Sequence, residues 1–85
     1  MFLLVWSDEA FDEMARIVRL YPARKHEFAT ALRQVTRQLS TDPLNRGESR
    51  EEEMRVMFAG DLSVFYAVDE ASRAVEIGLV RLRTP

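Results

Sequence analysis

Arginine is the residue type in this chain that is best suited to chemistry, and five arginines lie in or beside its C-terminal strands. They are Arg46, Arg50, Arg55, Arg81 and Arg83. A guanidinium binds phosphate through two parallel hydrogen bonds and can stabilise the charge that develops in phosphoryl transfer without a metal ion. The set therefore permits a metal-free site that binds or cleaves RNA. On chemistry alone, weak surface ion pairs with Glu76 or with residues 51–53 are the stronger interpretation.

Most other kinds of catalytic or metal site lack the residues that they need. The chain has no cysteine, and its one histidine, His26, is expected to face solvent near the start of a helix. Its three glycines are too far apart to form a phosphate-binding loop. Four acidic residues near the N-terminus suit the start of a helix better than a metal site, namely Asp8, Glu9, Asp12 and Glu13. We therefore expect neither a metal nor a cofactor.

Length and charge place further limits on the class of protein. The chain has 85 residues, which is enough for one domain, residues 1–85, with a single core. Its formal net charge of −2 argues against a broadly basic nucleic-acid binder. The apolar residues 1–6 are followed at once by acidic residues, so neither a signal peptide nor a membrane segment is expected. Without cysteine, the composition is compatible with a cytoplasmic location.

The first half of the chain predicts a strand and a helical hairpin. Residues 2–6 read as a strand that is central or covered, because it is apolar on both faces. Ser7 is a good N-cap for a helix over about residues 8–20, and Pro22 suits the first turn of a second helix that ends at Asp42 and Pro43. The apolar stripes that we expect to be buried are Phe11, Met14, Val18 and Tyr21 on the first helix, and Phe28, Leu32, Val35 and Leu39 on the second.

The second half predicts a loop over residues 44–53 and then three strands. Met54, Val56 and Phe58 alternate and predict a buried face, so Arg55 should point away from the core. Gly60 can take the positive φ of a tight hairpin turn. In the last strand, residues 74–82, strict alternation would bury the two arginines at its end. A bulge at Gly78 would shift Arg81 and Arg83 to the other face.

The element order β-α-α-β-β-β and the segment from Met54 to Val68, MRVMFAGDLSVFYAV, resemble the RelE/ParE toxin superfamily. Further matching pieces are residues 5–7 before an acidic helix, Asp42 and Pro43 after the second helix, and residues 75–80 in the last strand. The resemblance covers nearly the whole chain. It implies an α+β fold in which a helical hairpin packs on a mostly antiparallel four-stranded sheet.

The resemblance also implies a function in type II toxin-antitoxin systems. Such a toxin is bound by a cognate antitoxin that covers its basic face, and superfamily members either cut messenger RNA on the ribosome or poison DNA gyrase. Arg55 corresponds to a basic position that the RNA-cleaving members use near the scissile phosphate, and Arg83 corresponds to an arginine at the end of the last strand. Met57, Ser63 and Leu82 stand where those members often have basic residues or histidine.

Three hypotheses follow from the sequence. The first is a toxin, or a diverged toxin-like relative, that inhibits translation by cleaving messenger RNA with Arg55 and Arg83 as catalytic residues. Arg46, Arg50 and Arg81 would then bind the RNA phosphates. The second is a non-catalytic binding module, either a gyrase-directed ParE-like toxin or a domain that only holds its antitoxin or another partner. The third is a structural domain whose arginines form surface ion pairs. A homodimer is left open.

Overall fold

A computed structural model describes residues 1–45, 47–49 and 54–83 of the chain. The helices and strands of these residues are β1 Leu3–Trp6, α1 Asp8–Leu20, α2 Lys25–Thr41, β2 Glu48–Ser49, β3 Met54–Ala59, β4 Leu62–Asp69 and β5 Ala74–Leu82. The strands form one sheet in the order β1-β5-β4-β3-β2, in which only the β1 and β5 pair is parallel. The predicted α+β fold is confirmed. The short β2 is an addition, because it forms within the segment that was expected to be a loop.

Helix α1 has the predicted bounds but buries a different stripe. Ser7 caps its start, since the Oγ of Ser7 accepts a hydrogen bond from the Ala10 N–H at 3.1 Å. The residues that α1 buries are Ala10, Met14 and Ile17, whereas Phe11 is 64% exposed. The predicted burial of Phe11 is therefore wrong, as is that of Tyr21, which is 36% exposed, whereas the predicted burial of Met14 is confirmed. Helix α1 carries apolar residues on two adjacent stripes. The stripe that packs against β5 is the one that contains Ala10, whose side chain is smaller than that of Phe11.

Helix α2 is fixed at its start by Arg24, the last residue of a 3-10 turn that Pro22 begins. The Arg24 guanidinium contacts the Asp61 carboxylate at 2.6 Å and lies 5.0 Å from the centre of the Phe28 ring. Its hydrogen bond to Glu27 also lowers the pKa of that carboxyl group. The start of α2 is thereby tied to the turn between β3 and β4. In the described residues, neither helix is long and apolar enough to span a membrane.

The sheet has a helix-side face, which packs against α1 and α2, and an outer face that carries no helix in the described part of the chain. Residues that pair directly across a ladder project from the same face. The pairing therefore shows on which face of the sheet each residue lies. The helix-side face includes Met57, Ala59, Leu62, Val64, Tyr66, Val75, Ile77 and Val80, all of which belong to the core. The outer face includes Met54, Val56, Phe58, Ser63, Phe65, Ala67, Glu76, Leu79 and Arg81.

Strand β1 lies at one edge of the sheet, so its predicted central or covered position is wrong. It pairs only with β5 among the described strands. Leu4 and Trp6 pack against the core, whereas Leu3 is 68% exposed and Val5 is 44% exposed on the outer face. The outer-face side chains of β1 are exposed because the helices cover only the other face of this strand.

Gly78 forms the predicted bulge in β5. Phe65 pairs with Leu79 and Tyr66 pairs with Ile77, so Gly78 is one extra residue between the two pairs. After the bulge, Val80 returns to the core while Arg81 faces outwards and is exposed. The bulge therefore decides between the two faces that the sequence left open for Arg81.

Candidate functional site on the outer sheet face

Arg81 and Arg83 come together at one end of the outer face, beside the turn between β3 and β4. Arg81 pairs with Ser63, and Ser63 pairs in turn with Phe58. These three side chains therefore form one row across β5, β4 and β3. Ser63 is buried within the row, whereas Arg81 is exposed and available to a ligand.

Arg83 follows β5 and is held over the same row. Its guanidinium carbon lies 4.7 Å from the centre of the Phe58 ring, which is within the range of a cation-π interaction. Its Nη2 donates a hydrogen bond to the Gly60 carbonyl, and its backbone N–H donates to the Asp61 carbonyl at 2.7 Å. Arg83 is therefore an oriented cation rather than a freely moving one.

The outer face around these two arginines is largely apolar. Phe58 is 41% exposed, Met54 is also exposed, and Phe65 and Leu79 are half-buried. A surface of exposed apolar side chains with two cations at one end is typical of a protein interface, where the apolar part contributes affinity and the charges contribute orientation. The arrangement can therefore bind a partner or a phosphate without performing covalent chemistry.

A cleft of about 640 Å³ lies between α1 and the end of β5, next to Arg81. Glu13 and Arg16 of α1 line this cleft and bind each other through two hydrogen bonds. The bond from Arg16 lowers the pKa of Glu13, and the charge of Arg81 adds a smaller effect in the same direction. Glu13 is therefore ionised at neutral pH and cannot serve as a general acid there.

Arg55 lies on the opposite side of the sheet. It pairs directly with Tyr66, whose side chain is fully buried in the core, so Arg55 projects from the helix-side face and is half-buried. The prediction that Arg55 points away from the core is wrong. Strand β3 carries apolar residues in both phases, and α2 packs against the phase of Met57 and Ala59 rather than that of Phe58.

Tyr66, the partner of Arg55 in the ladder, has a structural role. Its hydroxyl donates a hydrogen bond to the carbonyl of the buried Pro43 at 3.0 Å. Burial raises the pKa of Tyr66, and the nearby charge of Arg55 partly opposes that rise. Tyr66 is therefore neutral at physiological pH and links β4 to the segment after α2.

The five sequence-predicted arginines do not form one site. Arg81 and Arg83 share the outer face, Arg55 projects from the other face, and Arg46 and Arg50 lie outside the described residues, as do the acidic residues 51–53. Among the described residues, the ion pairs are those of Arg16 with Glu13 and of Arg24 with Glu27 and Asp61, so the predicted pairs with Glu76 do not form. The sequence did not predict that the Phe58 ring would support Arg83, because the side chain of Phe58 was expected to lie in the core.

Comparisons with known proteins agree with this fold. A family model described as the ParE toxin of the type II toxin-antitoxin system parDE matches residues 4–84. A solved structure of the chromosomal ParDE toxin-antitoxin system from P. aeruginosa superposes with a TM-score of 0.78 at 15% identity, over 99% of this chain and 98% of that chain. The RelBE2 toxin-antitoxin complex from Mycobacterium tuberculosis gives 0.67 at 21% identity, over 96% and 98%.

The two structural matches are too distant in sequence to show more than the fold. None of the curated proteins compared with this chain matches it. The family model, however, spans nearly the whole sequence, and it agrees with the resemblance to the RelE/ParE superfamily that the strand signature indicated. The chain belongs to the ParE toxin family of type II toxin-antitoxin systems.

Proposed function

We propose that this chain is a toxin that binds its target through the outer sheet face and does not cleave RNA. The whole chain would act as one domain. The observation that carries the proposal is the separation of Arg55 from Arg83 by the sheet. Two residues on opposite faces cannot contact the same phosphate. The positions that would supply further basic groups carry Met57 and Leu82, whose side chains belong to the helix-side face.

The cellular target that we propose is DNA gyrase. The family model that matches the chain is that of ParE toxins, and poisoning of gyrase requires a binding surface but no acid, base or nucleophile. Arg81 and Arg83 would provide the charged contacts of that surface, and Phe58 would provide apolar contact at its centre. Such a target places the protein in the cytoplasm.

The partner that would restrain the toxin is a cognate antitoxin. Two observations support this: the matched structures are toxin-antitoxin systems, and the outer face exposes apolar side chains such as Met54 and Phe58. A bound antitoxin segment would remove these side chains from water and would cover Arg81 and Arg83 at the same time. Neutralisation would then follow from simple occlusion of the target-binding face.

The proposal is tested by measuring gyrase activity and messenger RNA integrity with the same protein preparations. Wild-type protein should inhibit gyrase-catalysed supercoiling of a plasmid and should leave messenger RNA intact in a cell-free translation extract. Combined Arg81→Ala and Arg83→Ala substitution should reduce the inhibition at least tenfold. Arg33→Ala is the matched control and should inhibit like wild type, because Arg33 is an exposed arginine of α2 whose side chain donates a hydrogen bond to Thr30 of its own helix.

Two results would count against the proposal. Cleavage of messenger RNA without inhibition of supercoiling would favour the ribosome-directed nuclease instead. Full inhibition of supercoiling by the double variant would show that gyrase is bound through another surface. Thermal unfolding of each variant is the control for folding, because the Arg83 side chain also contacts the Gly60 carbonyl.

A further inference from the structure

The outer face carries opposite charges at equal distances from an apolar row. Leu79 pairs with Phe65 in the middle of the face, and both side chains are half-buried. Glu76 lies one row to one side of this pair and Arg81 lies one row to the other side, because their partners on β4 are each two residues from Phe65. Two strand residues span about 7 Å. The acid and the base are therefore placed symmetrically about the middle row.

Two exposed apolar side chains of β3 follow the same arrangement. Met54 lies in the row of Glu76, and Phe58 lies in the row of Arg81. Met54 is 38% exposed and Phe58 is 41% exposed. A half-turn about an axis along the middle row therefore exchanges the acid with the base and one apolar side chain with the other. A surface with this property is complementary to a second copy of itself.

The charges also determine how the second copy must be oriented. Glu76 and Arg81 are both exposed, and neither forms an ion pair with another described residue. A two-fold axis parallel to the strands would place rows of like charge opposite each other, which is unfavourable. An axis along the middle row instead places each acidic row opposite a basic row.

We propose that two copies of this chain associate through their outer faces, with a two-fold axis along the row of Leu79 and Phe65. Glu76 of each copy then contacts Arg81 of the other, and a methionine at position 54 of each copy packs on the aromatic ring at position 58 of the other. Sheets that pack face to face lie about 10 Å apart. A glutamate and an arginine that extend towards each other span this gap.

The proposed dimer is weak and hides the surface that we assign to target binding. Four strands about 4.8 Å apart and three rows about 7 Å apart cover roughly 400 Å² per copy, about half of the 800 Å² per partner of a standard interface. Association should therefore occur at micromolar concentrations, and a tighter target or antitoxin would displace the second copy. The effect on toxicity rests on the proposed function, whereas the association itself does not.

The test is sedimentation velocity of the full chain from about 1 to 500 µM, a range that spans the affinity of a small interface. The weight-average mass of the wild type should rise with concentration towards twice the monomer mass. Glu76→Arg and Arg81→Glu, each alone, should weaken association at least tenfold, because each places like charges opposite each other at two symmetric positions. Asp12→Arg, at an exposed position of α1, makes the same change in net charge as Glu76→Arg and should associate like wild type.

The decisive variant combines Glu76→Arg with Arg81→Glu in one chain. This double exchange restores opposite charges across the two-fold axis, so association should return to within about threefold of the wild-type affinity. Three results would overturn the proposal: a constant monomer mass for the wild type, a double variant no better than the single ones, or an equal loss of association in Asp12→Arg.

A chemical probe tests whether the outer face is the surface that association hides. The chain has no cysteine, so Met54→Cys places a single thiol on the outer face, and Arg33→Cys places one at an exposed position of α2. Between about 1 and 500 µM protein, the rate constant of maleimide labelling should fall at least threefold for Met54→Cys and stay constant for Arg33→Cys. An unchanged rate at position 54 in a protein that dimerises would refute the proposed contact. Neither readout involves gyrase, so a negative supercoiling assay would reject the proposed function alone.

Discussion

Arg55 and Arg83 lie on opposite faces of one β-sheet, with a single strand between β3 and β5. Arg55 pairs with the buried Tyr66 on the helix-side face, whereas Arg83 covers the ring of Phe58 on the outer face. The arginines that the sequence groups together are therefore divided by the sheet. A binding function needs only one of the two faces, which is why we favour it over cleavage.

Neither removal nor replacement of Gly78 should greatly destabilise the protein. Deletion would remove the bulge, and plain alternation would then keep Ile77 and Val80 in the core and Arg81 on the outer face, so the free energy of unfolding should fall by less than about 2 kcal/mol. Gly78→Ala should change it by less than about 1 kcal/mol, because a Cβ there has no neighbour within 4 Å. Urea unfolding measures both values. A deletion variant that is less stable than wild type by more than about 4 kcal/mol would contradict this account of the bulge.

The hydroxyl of Tyr66 should contribute measurably to stability. Tyr66→Phe removes the hydrogen bond to the Pro43 carbonyl and leaves that buried acceptor unpaired, which should cost about 1 to 3 kcal/mol. Tyr21→Phe, at an exposed position, is the control and should cost almost nothing. Equal stability of the two variants would argue against the buried hydrogen bond.

The same residue should make stability decrease at alkaline pH. Burial raises the pKa of Tyr66 above its ordinary value, so the unfolded chain loses this proton first, near pH 10. The contribution of neutral Tyr66 to the free energy of unfolding is complete below about pH 10. It is lost as the pH rises through the folded-state pKa. Unfolding free energies measured between pH 8 and 11 should fall less steeply for Tyr66→Phe than for Tyr21→Phe. Identical slopes would contradict this assignment.

Two glycines with positive φ should respond differently to alanine. Gly60, with φ of +56°, has room for a Cβ, because the nearest atom is the Cβ of Ala31 at 4.0 Å. Gly60→Ala should therefore cost only the left-handed strain of about 1 to 2 kcal/mol. Gly47 has φ of +68°, and a Cβ there would lie 2.5 Å from the Val56 carbonyl oxygen and 2.8 Å from the Tyr66 hydroxyl. Gly47→Ala should cost roughly 1 to 3 kcal/mol more, as urea unfolding would reveal.

Local signals predicted the elements of the fold well. The Ser7 cap set the start of α1, Pro22 separated the helices, Gly60 formed the β3 to β4 turn, and the extra residue at Gly78 moved Arg81 outwards. Each of these features depends on a few neighbouring residues, so the sequence alone contains the information.

Local signals could not predict which face of α1 and which face of β3 is buried. Both elements carry apolar residues in two phases, as Met57 and Phe58 do in β3. The packing of α2 and β5 decides which phase is buried. This is a tertiary interaction, and the spacing of apolar residues within one element does not predict it. The structure brings Arg81 and Arg83 to one face, which the sequence left open, and the predicted face of Arg55 was wrong.

The central claim, that the outer face carries the toxic action, is tested most directly by growth after induced expression of variants in a bacterial host without an antitoxin. Wild type and Arg55→Ala should both stop growth, whereas the combined Arg81→Ala and Arg83→Ala variant should restore colony counts at least a hundredfold at equal protein level and unchanged thermal stability. Growth arrest by the double variant together with loss of toxicity in Arg55→Ala would contradict the claim.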